Sequence, residues 1–382
     1  MSVIAGPVDS AWVKQPKVKD AASPQMLAPR LYRTDIEQLN ALDVSAFRAE
    51  FTALREDFEA DHNRAHFKWD DDARNLDYRP VWENFYEFLH RSAFGEFSGC
   101  LLYSDVYRRI DDPDVSAIYK CMARDEGRHA SFLNWVMREM GRRFDLAALP
   151  QIEKLQFLAP QWIFITTYLS EAIGFYRYQN ISDHLRARSE YRFHPLFRYF
   201  HEWCKDERRH SRFFALMIRT QPQLYRGAWR AFLTKVFTLA VYVTMYLRDQ
   251  ESSIYGTLGI DWEKYDLKVI DETDVAAAGV WGIRIRTKSR WFAARLRAMR
   301  ENNRANKRGR ARAHGIRKPY EVALRYVRFA GNILQLALLA AQPPDRVTPH
   351  PRERWLEVAA DPADTAVFAL NVPPATLPAI AR

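Results

Sequence analysis

Arg124-Asp-Glu-Gly-Arg-His129 and Lys205-Asp-Glu-Arg-Arg-His210 decide the fold of this 382-residue chain. Both fit the pattern Asp-Glu-x-Arg-His. Glu and His three residues apart share one face of a helix, so each segment offers an oxygen and a nitrogen donor to the same point. One such pair alone is weak, because charge-rich helix surfaces produce it by composition. Here each copy is preceded by a carboxylate in apolar surroundings. Glu96 stands in Phe94-Gly-Glu-Phe-Ser-Gly-Cys-Leu-Leu-Tyr103, 30 residues before Glu126, and Glu171 in Leu169-Ser-Glu-Ala-Ile-Gly-Phe-Tyr-Arg-Tyr178, 36 residues before Glu207. Each is followed by a glycine three residues on (Gly99, Gly174) and a tyrosine seven on (Tyr103, Tyr178). A carboxylate buried in such a setting is costly unless it meets a cation or a proton.

Working outward, 3.6-residue apolar spacing predicts helices over roughly 81–109, from Pro113, from just after Pro160 and from Pro195. Proline suits the first helical turn, where its missing N–H costs nothing. A further helix is expected from Asp43, as N-cap, to about Asn63. The midpoint between Glu96 and Glu126 is residue 111, in an Asp-Asp-Pro turn; that between Glu171 and Glu207 is residue 189, in a polar connection. Residues equidistant from the turn of an antiparallel hairpin face each other, here about 20 Å deep at about 1.5 Å per residue. Two packed hairpins would therefore bring Glu96, Glu126, His129, Glu171, Glu207 and His210 to one place. Four glutamates and two histidines on four helices form the carboxylate-bridged dinuclear pattern of ferritin-like bundles. The fold class expected is all-α: a ferritin-like four-helix bundle with a di-iron carboxylate site, plus additional C-terminal helices. The six residues are read as ligands of two iron ions, a framework that serves iron storage, radical storage and oxygenase chemistry alike. Asp125 and Asp206 are each expected to orient the histidine of the opposite motif, with Arg128 and Arg209 bracing them.

Composition agrees. The chain is 48% hydrophobic and 14% aromatic, with only 14 glycines, which excludes wholesale disorder. Cys100, Cys121 and Cys204 form no C-x-x-C, so no disulfide framework, zinc site or iron–sulfur site is expected. The N-terminal segment lacks an apolar signal-peptide core, and the expected location is cytoplasmic. No dinucleotide fingerprint or phosphate loop occurs, so no bound nucleotide or flavin is expected and electrons must come from another protein. Between Arg284 and Lys318, 14 Lys/Arg face a single acid, Glu301; this +13 exceeds the whole chain's +10, leaving −3 for the rest. With no nucleic-acid motif beside it, that stretch is read as contact with an anionic membrane surface or an acidic electron donor, not with nucleic acid. Ala231–Leu247 is too short and too interrupted by Lys235 for a secure span, which favours peripheral attachment. The expected organisation is a mobile arm (1–30), the di-iron domain (31–250), a helical extension (251–341) containing the basic stretch 284–318, and a Pro-rich tail (342–382).

Radical storage would place a tyrosine one turn after the first ligand histidine, but Leu133 and Phe214 stand there. Beyond the ligands, Leu-Ala-Pro-Arg-Leu-Tyr-Arg-Thr-Asp from Leu27, Val241–Leu247 and Leu258–Thr273 complete an ordered set of motifs. With these the chain resembles the aerobic magnesium-protoporphyrin IX monomethyl ester oxidative cyclases, over about two-thirds of its length; the likeness stops near residue 280. The resemblance implies a di-iron monooxygenase-type enzyme of chlorophyll or bacteriochlorophyll synthesis. It would use O2 and external electrons, from a ferredoxin or an NADPH-linked reductase, to form the isocyclic ring of divinyl protochlorophyllide. It also implies an auxiliary cyclase subunit and peripheral association with the photosynthetic membrane. The rival readings are a di-iron hydroxylase of another lipophilic substrate and a non-catalytic metal-binding scaffold of a pigment-synthesis complex.

Overall fold

The computed structural model describes residues 30–62, 81–142, 144–151, 156–249, 252–312 and 317–349. Of the expected arm and tail, residues 1–29 and 350–382 lie outside the described residues. The described chain is all-α apart from two short two-stranded pairings. It forms two compact units. The first holds residues 30–221 with the return segment Ser252–Asp261, the second Pro222–Glu251 with Trp262 onward.

In the first unit, α1 (Arg48–Glu59) precedes four long helices: α2 (Trp82–Tyr107), α3 (Pro113–Glu139), α4 (Pro160–Ala187) and α5 (Phe200–Arg219). Helices α2 and α3 pack as one hairpin, α4 and α5 as another. Asp112 caps α3 by accepting the Val115 N–H at 3.0 Å, with Pro113 in the first turn. Arg48 of α1 grips this turn at 2.6 Å from Asp112 and 3.1 Å from Asp114. Helix α1 buries Phe51, Leu54 and Phe58 against α3 and α5, Phe51 meeting Phe213 edge-on at 6.2 Å.

Two boundaries differ from the sequence-based expectation. The Asp43 carboxylate accepts the Ser45 N–H at 2.9 Å, but only a 3-10 turn follows, and α1 proper begins at Arg48. It stops at Glu59, and Asp61 then adopts a left-handed φ of 46° that no helix continues through. Pro195 likewise opens a 3-10 turn to Tyr199, because the His194 ring accepts the Leu196 N–H at 3.1 Å; α5 follows from Phe200. Ahead of α1, β1 (Tyr32–Arg33) pairs in parallel with β2 (Gln156–Phe157), and the Arg30 N–H donates to the Ser98 hydroxyl at 3.0 Å. The chain thus enters the bundle side at a fixed point.

The second unit comprises α6 (Ala228–Asp249), α7 (Trp262–Trp281), α8 (Arg290–Arg312) and α9 (Arg317–Ala341), with β3 (Ile283–Arg284) antiparallel to β4 (Asp345–Arg346). The boundary expected at 250 is therefore displaced. Helix α6 buries Leu239, Tyr242 and Tyr246 and packs on α7, α8 and α9, so it belongs with the extension. Lys235, the charge interrupting its apolar run, is buried and donates to the carbonyls of Gln342 and, at 2.7 Å, Ala340, capping the end of α9.

Candidate metal centre

Mid-bundle, the first unit brings Glu96 (α2), Glu126 and His129 (α3), Glu171 (α4), and Glu207 and His210 (α5) together, all buried. Two triads have donor atoms within 4.8 Å of one another: Glu96–Glu126–His129 and Glu126–Glu171–His210. Glu126 belongs to both. His129 Nδ1 lies 3.3 Å from Glu96 and 3.6 Å from Glu207; His210 Nδ1 lies 3.2 Å from Glu171 and 3.8 Å from Glu126. The two hairpins therefore contribute equivalent sets, related by an approximate twofold.

The outer nitrogens of the histidines follow the same symmetry. His129 Nε2 is 3.1 Å from Asp206, and His210 Nε2 is 3.6 Å from Asp125, so each aspartate faces the histidine of the other motif. An Nε2–H turned toward a carboxylate leaves the Nδ1 lone pair facing the cluster. The arginines behind the aspartates are not equivalent. Arg209 donates to Asp206 at 2.7 Å, whereas Arg128 stays 3.7 Å from Asp125 and binds Asp61 at 2.9 Å. Arg124 takes the bracing position on Asp125 at 2.9 Å instead. The left-handed Asp61 at the end of α1 draws Arg128 away.

Two tyrosines complete the symmetry. Tyr178 of α4 donates its hydroxyl to Glu96 of α2 at 2.7 Å, and Tyr103 of α2 donates to Glu171 of α4. Each tyrosine seven residues past one glutamate thus serves the glutamate of the opposite hairpin. The repeated offset was visible in the sequence; the crossed partnership was not.

Arg30 is the residue that no local pattern announced. Expected at the end of a mobile arm, it is instead buried, its guanidinium 2.6 Å from Glu126 and also paired with Glu171, with Tyr103 accepting from it at 2.9 Å. Gly99 makes this possible, since a Cβ there would collide with the guanidinium. Gly174 does the same for Glu207, whose carboxylate oxygen would lie 3.0 Å from a Cβ at that position. The two glycines noted three residues past Glu96 and Glu171 are thus space reserved for the cluster.

The electrostatics are those of a cation site. Burial, then the neighbouring carboxylates, pushes Glu207 well above the ordinary carboxylate range; burial does the same to Glu126 against the pull of Arg30. Glu96 and Glu171 are held low despite burial, Glu96 by His129 and Glu171 by Arg30 and His210. Burial alone would lower His210, but Asp125 and Glu171 raise it to about 9. Glu207 Oε1 is buried and accepts no hydrogen bond from the described residues. Four carboxylates of which two favour the neutral form, one with an orphaned oxygen, fit divalent ions bound between them. The cysteines take no part in either triad; burial pushes the half-buried Cys100 thiol up, and Cys204 is buried as a small core residue.

Residues 87–218, which contain all six clustered side chains, match the family model described as Rubrerythrin. The magnesium-protoporphyrin IX monomethyl ester [oxidative] cyclase of Synechococcus elongatus is 38% identical over 332 residues, covering 85% of this chain and 92% of its own. The proteins of the same name from Gloeobacter violaceus and Pyropia yezoensis are 42% and 39% identical, over 67% and 68% of this chain and 76% of each of their own. No solved structure matches.

Proposed function

The chain belongs to the magnesium-protoporphyrin IX monomethyl ester oxidative cyclase family, and from that premise we propose that it closes the isocyclic ring of the chlorophyll macrocycle at the buried carboxylate–histidine cluster. The substrate is magnesium-protoporphyrin IX monomethyl ester; its methyl-esterified propionate is oxidised and joined to the neighbouring meso carbon, giving divinyl protochlorophyllide. The observation that carries this reading is the crossed cluster itself, six donors on four helices, in a chain whose relatives are named as this cyclase.

In this reading Glu96, Glu126, His129, Glu171, Glu207 and His210 would hold two irons, Glu126 being common to both triads. When bound, the iron pair supplies O2 activation and the oxidising power for the C–H bond. The protein does the rest. Asp206 and Asp125 fix the histidine tautomers, so that each ring presents Nδ1 inward. Tyr178 and Tyr103 orient one oxygen each of Glu96 and Glu171, leaving the other for a ligand role. Glu126, His129 and His210 have no exposed surface, so bulk water is kept from the reacting atoms and side reactions are limited. Buried rings stand against the two histidines: Trp203 at 4.5 Å from His129, and Phe58 and Tyr103 at 6.0 and 6.5 Å from His210.

The electrons come from outside, from a ferredoxin or an NADPH-linked reductase, because the sequence carries no nucleotide fingerprint. An auxiliary cyclase subunit and the cytoplasmic face of the photosynthetic membrane complete the proposed partners; the lipophilic substrate and the basic stretch 284–318 support the membrane. The test incubates iron-loaded protein with magnesium-protoporphyrin IX monomethyl ester, O2 and reductant, with the auxiliary components of a cell extract. A red-shifted protochlorophyllide-like band is expected; its absence in a mixture where an established cyclase of the family produces it contradicts the assignment.

A further inference from the structure

Helix α9 is built inside out. Its side toward α8 is polar: Asn332 accepts from Asn302 at 2.8 Å, Gln335 from Arg295 at 3.0 Å, and Arg328 donates to Asn306 and to the Ala305 carbonyl, both at 3.3 Å. The seam is also tight, since a Cβ on Gly309 would run into Glu321 and one on Gly331 would lie 3.2 Å from Asn302. The outer side is apolar. Tyr320, Tyr326, Val327, Phe329, Ile333 and Leu334 are each between 51% and 72% exposed. Arg325 is the one exposed charge among the described residues 319–341 of that helix. A hairpin stabilised in water does the reverse, burying apolar side chains in the seam and turning polar ones outward. Small residues and amide pairs inside with aliphatic and aromatic residues outside are the polarity of a helix pair whose outer medium is hydrocarbon.

The other helix of the pair says which hydrocarbon. Helix α8 carries nine Lys/Arg against Glu301, and Arg290, Arg304, Lys307, Arg308 and Arg310 are exposed. A long apolar face with a cationic neighbour matches an anionic bilayer surface, the acyl region meeting α9 and the headgroups meeting α8. Tyr320 and Tyr326 add rings with a polar end, which favour the boundary between the two. We propose that the outer face of α9 is a bilayer-docking surface that lies in the plane of an anionic membrane. Helix α9 is long and apolar enough to cross a bilayer by composition. It does not cross, because its polar side is tied to α8 along its length and would carry those arginines into hydrocarbon. The basic stretch, read above as contact with an anionic membrane surface or an acidic electron donor, then shares the membrane contact: α8 supplies the preference for anionic lipid and α9 the anchorage. The proposal does not depend on the substrate assigned at the cluster.

The test is flotation of the iron-loaded full chain with vesicles of phosphatidylglycerol and phosphatidylcholine, against phosphatidylcholine alone. Phe329→Asp/Ile333→Asp should lower the partition coefficient on both by about tenfold or more. Arg304→Glu/Arg308→Glu should remove mainly the preference for phosphatidylglycerol, and only that preference should be salt-sensitive. Val275→Asp, which replaces an exposed apolar residue of α7, should float as the unaltered chain does. Retained iron and helicity confirm that the variants fold. Should the double aspartate fail to fold, Phe329→Trp read against the unaltered chain should gain quenching from acyl-brominated lipid. Equal flotation of the double aspartate variant, or no added quenching, overturns the proposal. So does a chain that ignores vesicles but falls from oligomer to monomer when this face is altered, which would make it an interface between copies.

Discussion

Replacing Arg30 with Ala separates the metal-free protein from the loaded one. The guanidinium sits 2.6 Å from Glu126, pairs also with Glu171, and donates to Tyr103 at 2.9 Å, all four side chains being buried. In protein stripped by a chelator it is the one arginine in contact with the cluster's glutamates among the described residues. Removing one partner of a buried pair costs about 3–5 kcal/mol, because the remaining charge keeps its desolvation penalty. In the loaded protein two divalent ions balance four carboxylates, and the loss should shrink to that of a hydrogen bond, about 1 kcal/mol. The difference, about 2–4 kcal/mol, appears as metal affinity raised by about 30- to 1000-fold, since ion and guanidinium compete for the same oxygens. Denaturant unfolding of stripped and loaded Arg30→Ala, beside the unaltered chain and with anaerobic metal titrations, measures all of these. Equal destabilisation of both forms, with unchanged affinity, would refute the reasoning.

Two further predictions concern the second unit. Burial pushes the Asp274 carboxyl up to about 8 against the pull of the Ile285 N–H at 2.9 Å. Its folded pKa exceeds the unfolded one, so its contribution is complete below about pH 4 and is lost as pH rises through 8. Asp274→Asn, which still accepts from Ile285, should flatten the fall of the unfolding midpoint over that window; parallel curves for the two proteins would count against it. Lys235→Met strands the carbonyls of Ala340 and Gln342 and should cost about 1–3 kcal/mol, with faster amide exchange in the last turn of α9. Unchanged exchange there would show that the cap is unimportant.

The four bundle helices were legible because apolar periodicity, prolines in first turns and hairpin midpoints are local or nearly local signals. The meeting of the six cluster residues followed from those midpoints alone. The crossed pairs, Asp206 with His129 and Tyr178 with Glu96, depend on how one hairpin lies on the other; chemistry indicated the aspartates, while the tyrosines showed only a repeated offset. Arg30 lies in the motif that begins at Leu27, but its burial and its partners were not legible there, since Glu126 and Glu171 stand 96 and 141 residues away. Arg128 lies 3.7 Å from Asp125, and its closer contact with Asp61 was not legible because that left-handed turn lies in another helix's terminus. The polarity of α9 escaped for a similar reason. A helix with one apolar side reads as core until the structure shows that its polar side is the one already occupied.

Iron counted per chain tests the central claim most directly. The account predicts two irons in the unaltered protein and at most one in Glu126→Ala, because Glu126 belongs to both triads. Two irons per chain in both proteins would contradict it.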